Sequence, residues 1–355
     1  MRSIVMAGLF SWALLSHNAM ATTMACRPLL WPVTSAVINP SFPIDPETMS
    51  ELQHWSEQFV HQPSNPVPIL SSAGNTNIND SRLIASRRAF EDADHAAVLA
   101  LTYRLTHQVD FLNKTREILT GWSKINHPTG SPIDETRLEG MIWAYDLIAC
   151  DLPQEEKDGI LNWFEALHIK KRAWIPGHFT SENNHRIHQL KMLLLLDKML
   201  HRDPDWKLDI KNAKKYAIIN LNPQSGASID YFERSALYYH NYVVQPWLEI
   251  TLVTGCCRKP VQQAFSFLAD KMLSHQMDDE FSHSRAPIDT LRAQGGFQYA
   301  KKGGTFDVKK AAPTIVAYYT LDRTRPDPRL WLIEEQGTSS PWMVFLRARR
   351  RLWQA

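Results

Sequence analysis

Apolar residues return at three- and four-residue steps through most of the chain from about residue 85 onward. They do so from Asp92 to Thr106, from Phe111 to Trp122 and from Thr136 to Ala149, the spacing that lays one apolar stripe along a helix. Pro153-Gln-Glu-Glu156 predicts a helix start, with proline near the first turn and acids after it. Further helices are predicted from His185 to His201, Ile210 to Leu221, Arg234 to Thr254 and Pro260 to Met277. Pro246 is expected to kink or break the third of these. Strand-like alternation with hairpin signals is almost absent.

Successive helix pairs without a parallel-sheet pattern predict an all-α fold of antiparallel helical hairpins, wrapped into a toroid or solenoid. The absence of a fixed period disfavours a regular repeat protein. Residues 63–81, rich in Pro, Ser, Asn and Gly, read as a long loop before the helical body, of a length often used for lids. Gly295-Gly296 and Gly303-Gly304 mark turns late in the chain. No linker divides the chain, so one domain is expected over residues 22–355.

Composition narrows the picture. With 355 residues, 44% hydrophobic and 21% charged, the chain can bury a large core. A net charge of only +2 argues against nucleic acid as a partner. The arginine-rich stretch at 345–352 is expected to be a solvated tail. Arg2, the apolar run Ile4 to Leu15 and Ala19-Met20-Ala21 read as an export signal over residues 1–21, which predicts a periplasmic or secreted protein. Cys26 follows a poor lipidation box, and no later segment has the length and apolarity of a membrane span. Cys26, Cys150, Cys256 and Cys257 fit no zinc spacing. Neither a metal nor another cofactor is expected.

Two short blocks carry the candidate chemistry. In the first, Ser181-Glu-Asn-Asn-His-Arg186, a helix would present Asn184, His185 and His188 on neighbouring faces, although Asn183 or Asn184 also suits a plain helix cap. In the second block, Phe232 to Tyr242, Arg234, Tyr238 and Tyr242 step by four, Tyr239 lies beside that stripe, and His240 is a further member of the block. Burying so many phenols with an arginine and a histidine is costly unless their polar tips are satisfied. A cleft wall that stacks sugar rings accounts for them.

The string Ala236-Leu-Tyr-Tyr-His-Asn-Tyr242, placed after Asn183-Asn184-His185, resembles motifs of the alginate lyase superfamily of helical-toroid polysaccharide lyases. Asp80-Ser81-Arg82, Asp134 to Leu138 and Glu280 to Ser284 are similar to motifs of related glucuronan or alginate lyases. The resemblance implies an incomplete (α/α) toroid, no metal, and β-elimination on an anionic uronate polymer. It implies that Asn184 binds the substrate carboxylate, that His185 assists or acts as base, that Tyr239 handles the protons and that Arg234 supports both. Arg82, His188, Tyr238, His240 and Tyr242 are expected to bind substrate. The family's tryptophan position holds His188 here, which leaves mannuronan and glucuronan both open as substrates.

Two rival readings remain at this point. A toroid glycoside hydrolase needs two placed carboxylates, for which Asp134, Asp230, Glu233 and Asp289 are candidates. A sugar-binding protein without catalysis would share the aromatic cleft and make no product.

Overall fold

The computed structural model describes residues 27–353 other than 33, 34, 36, 38–44, 276–283, 302, 325, 326 and 338. The expected export signal, Cys26 and most of the Glu280 to Ser284 motif lie outside those residues. Among the described residues no strand forms, and the one isolated backbone bridge joins Leu221 to Ser228.

The helices in chain order are α1 (Pro46–Phe59), α2 (Ser81–Thr106), α3 (Val109–Ile125), α4 (Glu139–Ile148) and α5 (Gln154–Ala173). After them come α6 (Asn184–Met199), α7 (Asp203–Asn220), α8 (Ile229–Glu233), α9 (Ala236–Thr254) and α10 (Arg258–Leu273). The chain ends with α11 (Pro287–Gln294), α12 (Ala312–Leu321), α13 (Pro328–Gln336) and α14 (Pro341–Trp353). Six of them form a ring in which each packs on the next: α2, α4, α6, α9, α12 and α14, with α14 returning to α2. Further helices pack against it, α3 on α2, α5 and α7 on α6, α10 on α9, and α13 on α12. Ring helices meet neighbours on several sides. Hence α4 buries nearly every residue, including Met141, Trp143 and Leu147.

Several boundaries differ from the sequence pattern, each for a local reason. The first turn of α2 forms well ahead of Asp92 because the Asp80 side chain accepts from the backbone N–H groups of Arg82 and Leu83. α1 has only a thin apolar stripe, Leu52 and Phe59, and gains its place by packing on α2 and α14. Pro246 sits inside α9 without ending it; the helix is wedged between α6, α10 and α12, whose packing outweighs the proline's local cost.

The helix expected from Arg234 to Thr254 forms as α9 but begins at Ala236; Arg234 is extended (φ −127°, ψ −158°) in the link from α8, and Ala236 starts α9 at φ +26°. Arg234 therefore does not share a helical face with Tyr238 and Tyr242.

The arginine-rich end is not a solvated tail either. It is α14, in which Arg349 is fully buried against Glu249 at 2.9 Å, Arg350 pairs with Glu334 at 2.7 Å and Arg351 with Asp45 at 2.7 Å. Cys150 is disulfide-bonded, while Cys256 and Cys257 are free thiols. No described helix is long and apolar enough to cross a membrane.

Candidate active site

The site is assembled where α6 begins, where α8 turns into α9, and where α11 brings Asp289 and Arg292 to Arg234 and Tyr239. Asn183 caps α6, its side chain accepting from the His185 N–H at 3.1 Å. Asn184 then falls in the first turn, where it is buried. Its amide Nδ2 donates to Asp230 Oδ1 at 2.5 Å, and its backbone N–H to the same oxygen at 3.2 Å. Asp230 in turn accepts at 3.4 Å from Asn220 and belongs to α8, so one carboxylate fastens the start of α6 to α8. Burial raises its pKa to about 6, against the lowering effect of the Asn184 bonds and Arg234.

The break between α8 and α9 is what frees Arg234 to reach back. Its guanidinium meets Asp289 of α11 with two bonds, Nε at 2.9 Å and Nη2 at 2.7 Å, and Nη2 also donates to the Tyr239 hydroxyl at 2.6 Å. The same cation lies 4.0 Å from the centre of the Tyr239 ring. Arg292, also on α11, donates to that hydroxyl from Nη1 at 2.9 Å. Asp289 is fully buried and accepts from Ser284 as well. Burial pushes the Tyr239 phenol above its ordinary range, Arg234 and Arg292 pull it down, and Tyr299 and Asp289 push it up. The site therefore holds Tyr239 as a neutral phenol under two cations, not as a phenolate.

His185 is half-buried with its ring 6.2 Å from Trp174 and nearly parallel to it. Burial, then the charges of Arg234 and Arg292, lower its pKa to about 4, with Asp134 opposing. It is neutral at neutral pH. Tyr238 stacks on Tyr299 at 4.4 Å, and Tyr242 lies against His188 at 4.3 Å.

Three of the expected substrate-binding residues make their bonds within the protein. His240 is fully buried. It accepts from Ser228 N–H at Nδ1 (3.2 Å) and faces the Ala264 carbonyl with Nε2 (3.0 Å), so it brackets α8, α9 and α10 and does not face a cleft. His188 is buried beneath Tyr242, bonded to Thr136 Oγ1 at 2.7 Å. Arg82 is largely exposed and turns onto its own cap, Asp80, at 3.1 Å. Sequence reasoning missed Arg292, Tyr299 and Trp174. An Asp-x-x-Arg step at 289–292, just ahead of two glycines and Tyr299, was the available signal.

The loop between α1 and α2 passes over this region as a strap. Ser72 and Ala73 donate their backbone N–H groups to Asp134 Oδ1, each at 2.5 Å. Farther along, the Asn75 carbonyl accepts from Arg292 Nε at 3.1 Å, and Ile78 N–H donates to the Gly295 carbonyl at 3.0 Å.

The four acids named for a hydrolase are not a catalytic pair. Asp134 holds the strap, Asp230 and Asp289 are buried in the bonds above, and Glu233 is exposed at the end of α8. Among the described residues one cluster of metal-ligand type does form in space, His168, Asp197 and Asp205, with ligand atoms within 4.8 Å of one another. Arg172 bonds Asp197 at 3.3 Å and Asp209 at 2.6 Å there. Its charge balances the acids, making an ion-pair network away from the tyrosines.

Comparison with known proteins identifies the family and the fold. The sequence profile described as alginate lyase matches residues 35–254. No curated protein matches the chain in sequence. Alginate lyase A1-III from Sphingomonas species A1 superposes with a TM-score of 0.57 at 13% identity, over 90% of this chain and 97% of that one. An alginate lyase from Bacteroides ovatus gives 0.61 at 13% identity, over 88% and 96%. A variant of A1-III complexed with a tetrasaccharide gives 0.59 at 12% identity, over 89% and 94%. At such identities the likeness speaks for the fold.

Proposed function

The chain belongs to the alginate lyase family and is a polysaccharide lyase, and we propose that it cleaves 1,4-linked polymers of mannuronate or glucuronate by β-elimination. One observation carries this reading: a tyrosine hydroxyl held by two guanidiniums at 2.6 and 2.9 Å, beside a neutral histidine and an anchored asparagine. Family membership and a fold shared with a tetrasaccharide-bound relative support it.

In the proposed reaction Asn184 and neutral His185 hydrogen-bond the uronate carboxylate. They stabilise the charge that moves onto it as the C-5 proton leaves. Asp230 fixes the Asn184 amide for that task, and Arg234 adds positive charge. In mannuronate and glucuronate the C-5 proton and O-4 lie on one side of the ring. The phenolate form of Tyr239, which Arg234 and Arg292 stabilise, takes the proton at C-5, and the C4–C5 double bond forms as the C4–O4 bond breaks. The same proton passes from the phenol to O-4, which regenerates the phenolate. A 4,5-unsaturated uronate end and a free hydroxyl end result.

A second assignment has a specific observation behind it. Burial keeps Tyr239 protonated while His185 is already neutral, which suits His185 as base and Tyr239 as the acid at O-4.

The test is a panel of purified polymannuronate, polyguluronate and glucuronan, followed by ultraviolet absorbance of the unsaturated product and by reducing ends. Absorbance with mannuronate or glucuronate polymers is expected. Reducing ends without absorbance would mean hydrolysis, and binding without product would end the lyase reading. The sequence pattern at residues 1–21 supports export, which the N-terminus of the mature protein would test.

A further inference from the structure

We propose that Cys256 and Cys257 form a dithiol modification site, which closes reversibly to a disulfide between neighbouring residues on meeting a low-molecular-weight disulfide. The site lies outside the tyrosine cluster, and the proposal does not depend on the lyase reaction.

The two thiols sit at the corner between α9 and α10. Gly255 ends α9 in the left-handed region, at φ +71°, and Cys257 precedes α10 in the same region, at φ +63°. A residue with a Cβ rarely adopts that conformation. Cys257 is also the N-cap of α10, a position where Ser, Thr, Asp or Asn would satisfy an open backbone N–H, yet its side chain makes no cap bond. Its sulfur meets Cys256 Sγ instead, at 2.8 Å. One residue thus bears a left-handed backbone and an uncapped helix start, and the result is contact between two thiols. Local costs of this kind collect at functional positions.

The two sulfurs differ in surroundings. Cys256 is buried in an apolar cluster with Trp247, Ile250 and Val261, whereas Cys257 is half-buried. The bond with Cys257 lowers the Cys256 pKa to about 7; burial opposes it, and Thr254 and Lys214 of α7 assist it. The Cys257 thiol is pushed up by the same bond and by burial. The pair therefore loses one proton readily and holds the other between its sulfurs, next to the positive end of α10.

The exchange runs in two steps. Cys257 Sγ, the more accessible sulfur, bonds to one sulfur of the small disulfide, whose S–S bond breaks and releases the first small thiol. Cys256 Sγ then attacks Cys257 Sγ, the ring closes, and the second small thiol leaves. Two protein thiols are oxidised, one small disulfide is reduced, and the two thiol protons end on the released thiols. Adjacent Cα atoms stand about 3.8 Å apart, below the roughly 4.4–6.8 Å that disulfides usually span, so the ring reopens easily. A closed loop of two residues restricts the unfolded chain very little, which leaves reactivity rather than stapling as the purpose of the pair. Cys150 is already disulfide-bonded, so the fold carries one oxidised cysteine beside a pair kept as thiols.

The test equilibrates the full-length protein with mixtures of oxidised and reduced glutathione, then reads the peptide carrying both cysteines by mass spectrometry. The expected result is loss of two hydrogens from that peptide, with neither cysteine labelled by maleimide. Excess reduced glutathione should restore both labels while the Cys150 bond persists. Cys256→Ser should stop at a glutathione adduct on Cys257, because the resolving sulfur is gone; if that variant does not fold, the wild-type measurement decides alone. Full labelling of both cysteines at every ratio would overturn the proposal. So would a stable glutathione adduct on the wild type, a bond to a second chain, or a closed ring that reduced glutathione fails to open.

Discussion

Tyr239 concentrates two opposed effects on one hydroxyl. Burial makes it a weaker acid, and Arg234 and Arg292 make it a stronger one. Tyr239→Phe keeps the ring that Arg234 covers, so folding should survive. Positioned acid–base groups contribute roughly 10²–10⁴-fold, and kcat should fall by at least that much if one hydroxyl serves both proton transfers. Tyr238→Phe should lose far less, since Tyr238 keeps its stack on Tyr299 at 4.4 Å. Steady-state rates on the preferred polymer decide this, and a dead Tyr238→Phe beside an active Tyr239→Phe would exchange the two roles. The pH profile assigns the base. With Tyr239 as base, the phenol raised above its ordinary 10 predicts kcat/KM climbing with pH through the neutral and alkaline range. A rate already flat above about pH 5 would give the base role to His185, whose pKa is lowered to about 4. Tyr239, Asn184 and Arg234 were legible in the sequence because they lie in two compact blocks. Arg292 was not, because its meaning is a contact made across more than fifty residues (|i−j| = 53).

Among the elements, the link between α8 and α9 shows why periodicity alone misplaced a boundary by two residues. Apolar spacing runs on from Arg234 into α9, and nothing in it signals a break. The break is imposed by tertiary bonds: Ser228 capping α8, His240 bonding Ser228 across it, and Arg234 drawn away to Asp289. Asp230 joins this construction to the first turn of α6. Its folded pKa of about 6 lies above the ordinary 3.8, so the folded state binds that proton more tightly than the unfolded chain. Its contribution to stability therefore falls as pH rises from 3.8 to about 6 and stays low above that. Asp230→Asn removes this slope while keeping an acceptor for Asn184. Denaturant unfolding at several pH values should show the variant gaining on wild type across that window, and a gain in the opposite direction would mean that surrounding donors favour the carboxylate. Long helices were legible for complementary reasons: α3 lays one apolar stripe, Phe111, Ile118 and Trp122, on a neighbour, and α5 announced its start by Pro153 with acids after it.

At the scale of the molecule, the ring is completed by the last helix, where α14 meets both α12 and α2. Its sequence, dense in arginine, gave no hint of this, because the partners of those arginines are spread over the whole chain. Arg349 is the centre of the closure. It is fully buried, binds Glu249 of α9 through two nitrogens at 2.9 Å each, and lies 4.9 Å from the centre of the Trp143 ring. Trp143 of α4 donates its Nε1–H to the same carboxylate at 3.0 Å, so three ring helices meet at one charge. Removing only the cation leaves Glu249 buried and uncompensated, which for pairs of this kind costs about 3–5 kcal/mol. Arg349→Met should lose that much stability by denaturant unfolding, and Arg349→Met/Glu249→Leu should recover much of it because no lone charge remains. Glu249 lies ten positions beyond Tyr239 on α9, about 15 Å along a helix, so the folded fraction of either variant should keep kcat within a few-fold. A loss below about 1 kcal/mol, typical of a surface pair, would show that apolar packing of α14 closes the ring by itself. A large loss of kcat in well-folded protein would show that strain at the closure reaches the tyrosine end of α9, and would make the ring part of the catalytic machinery.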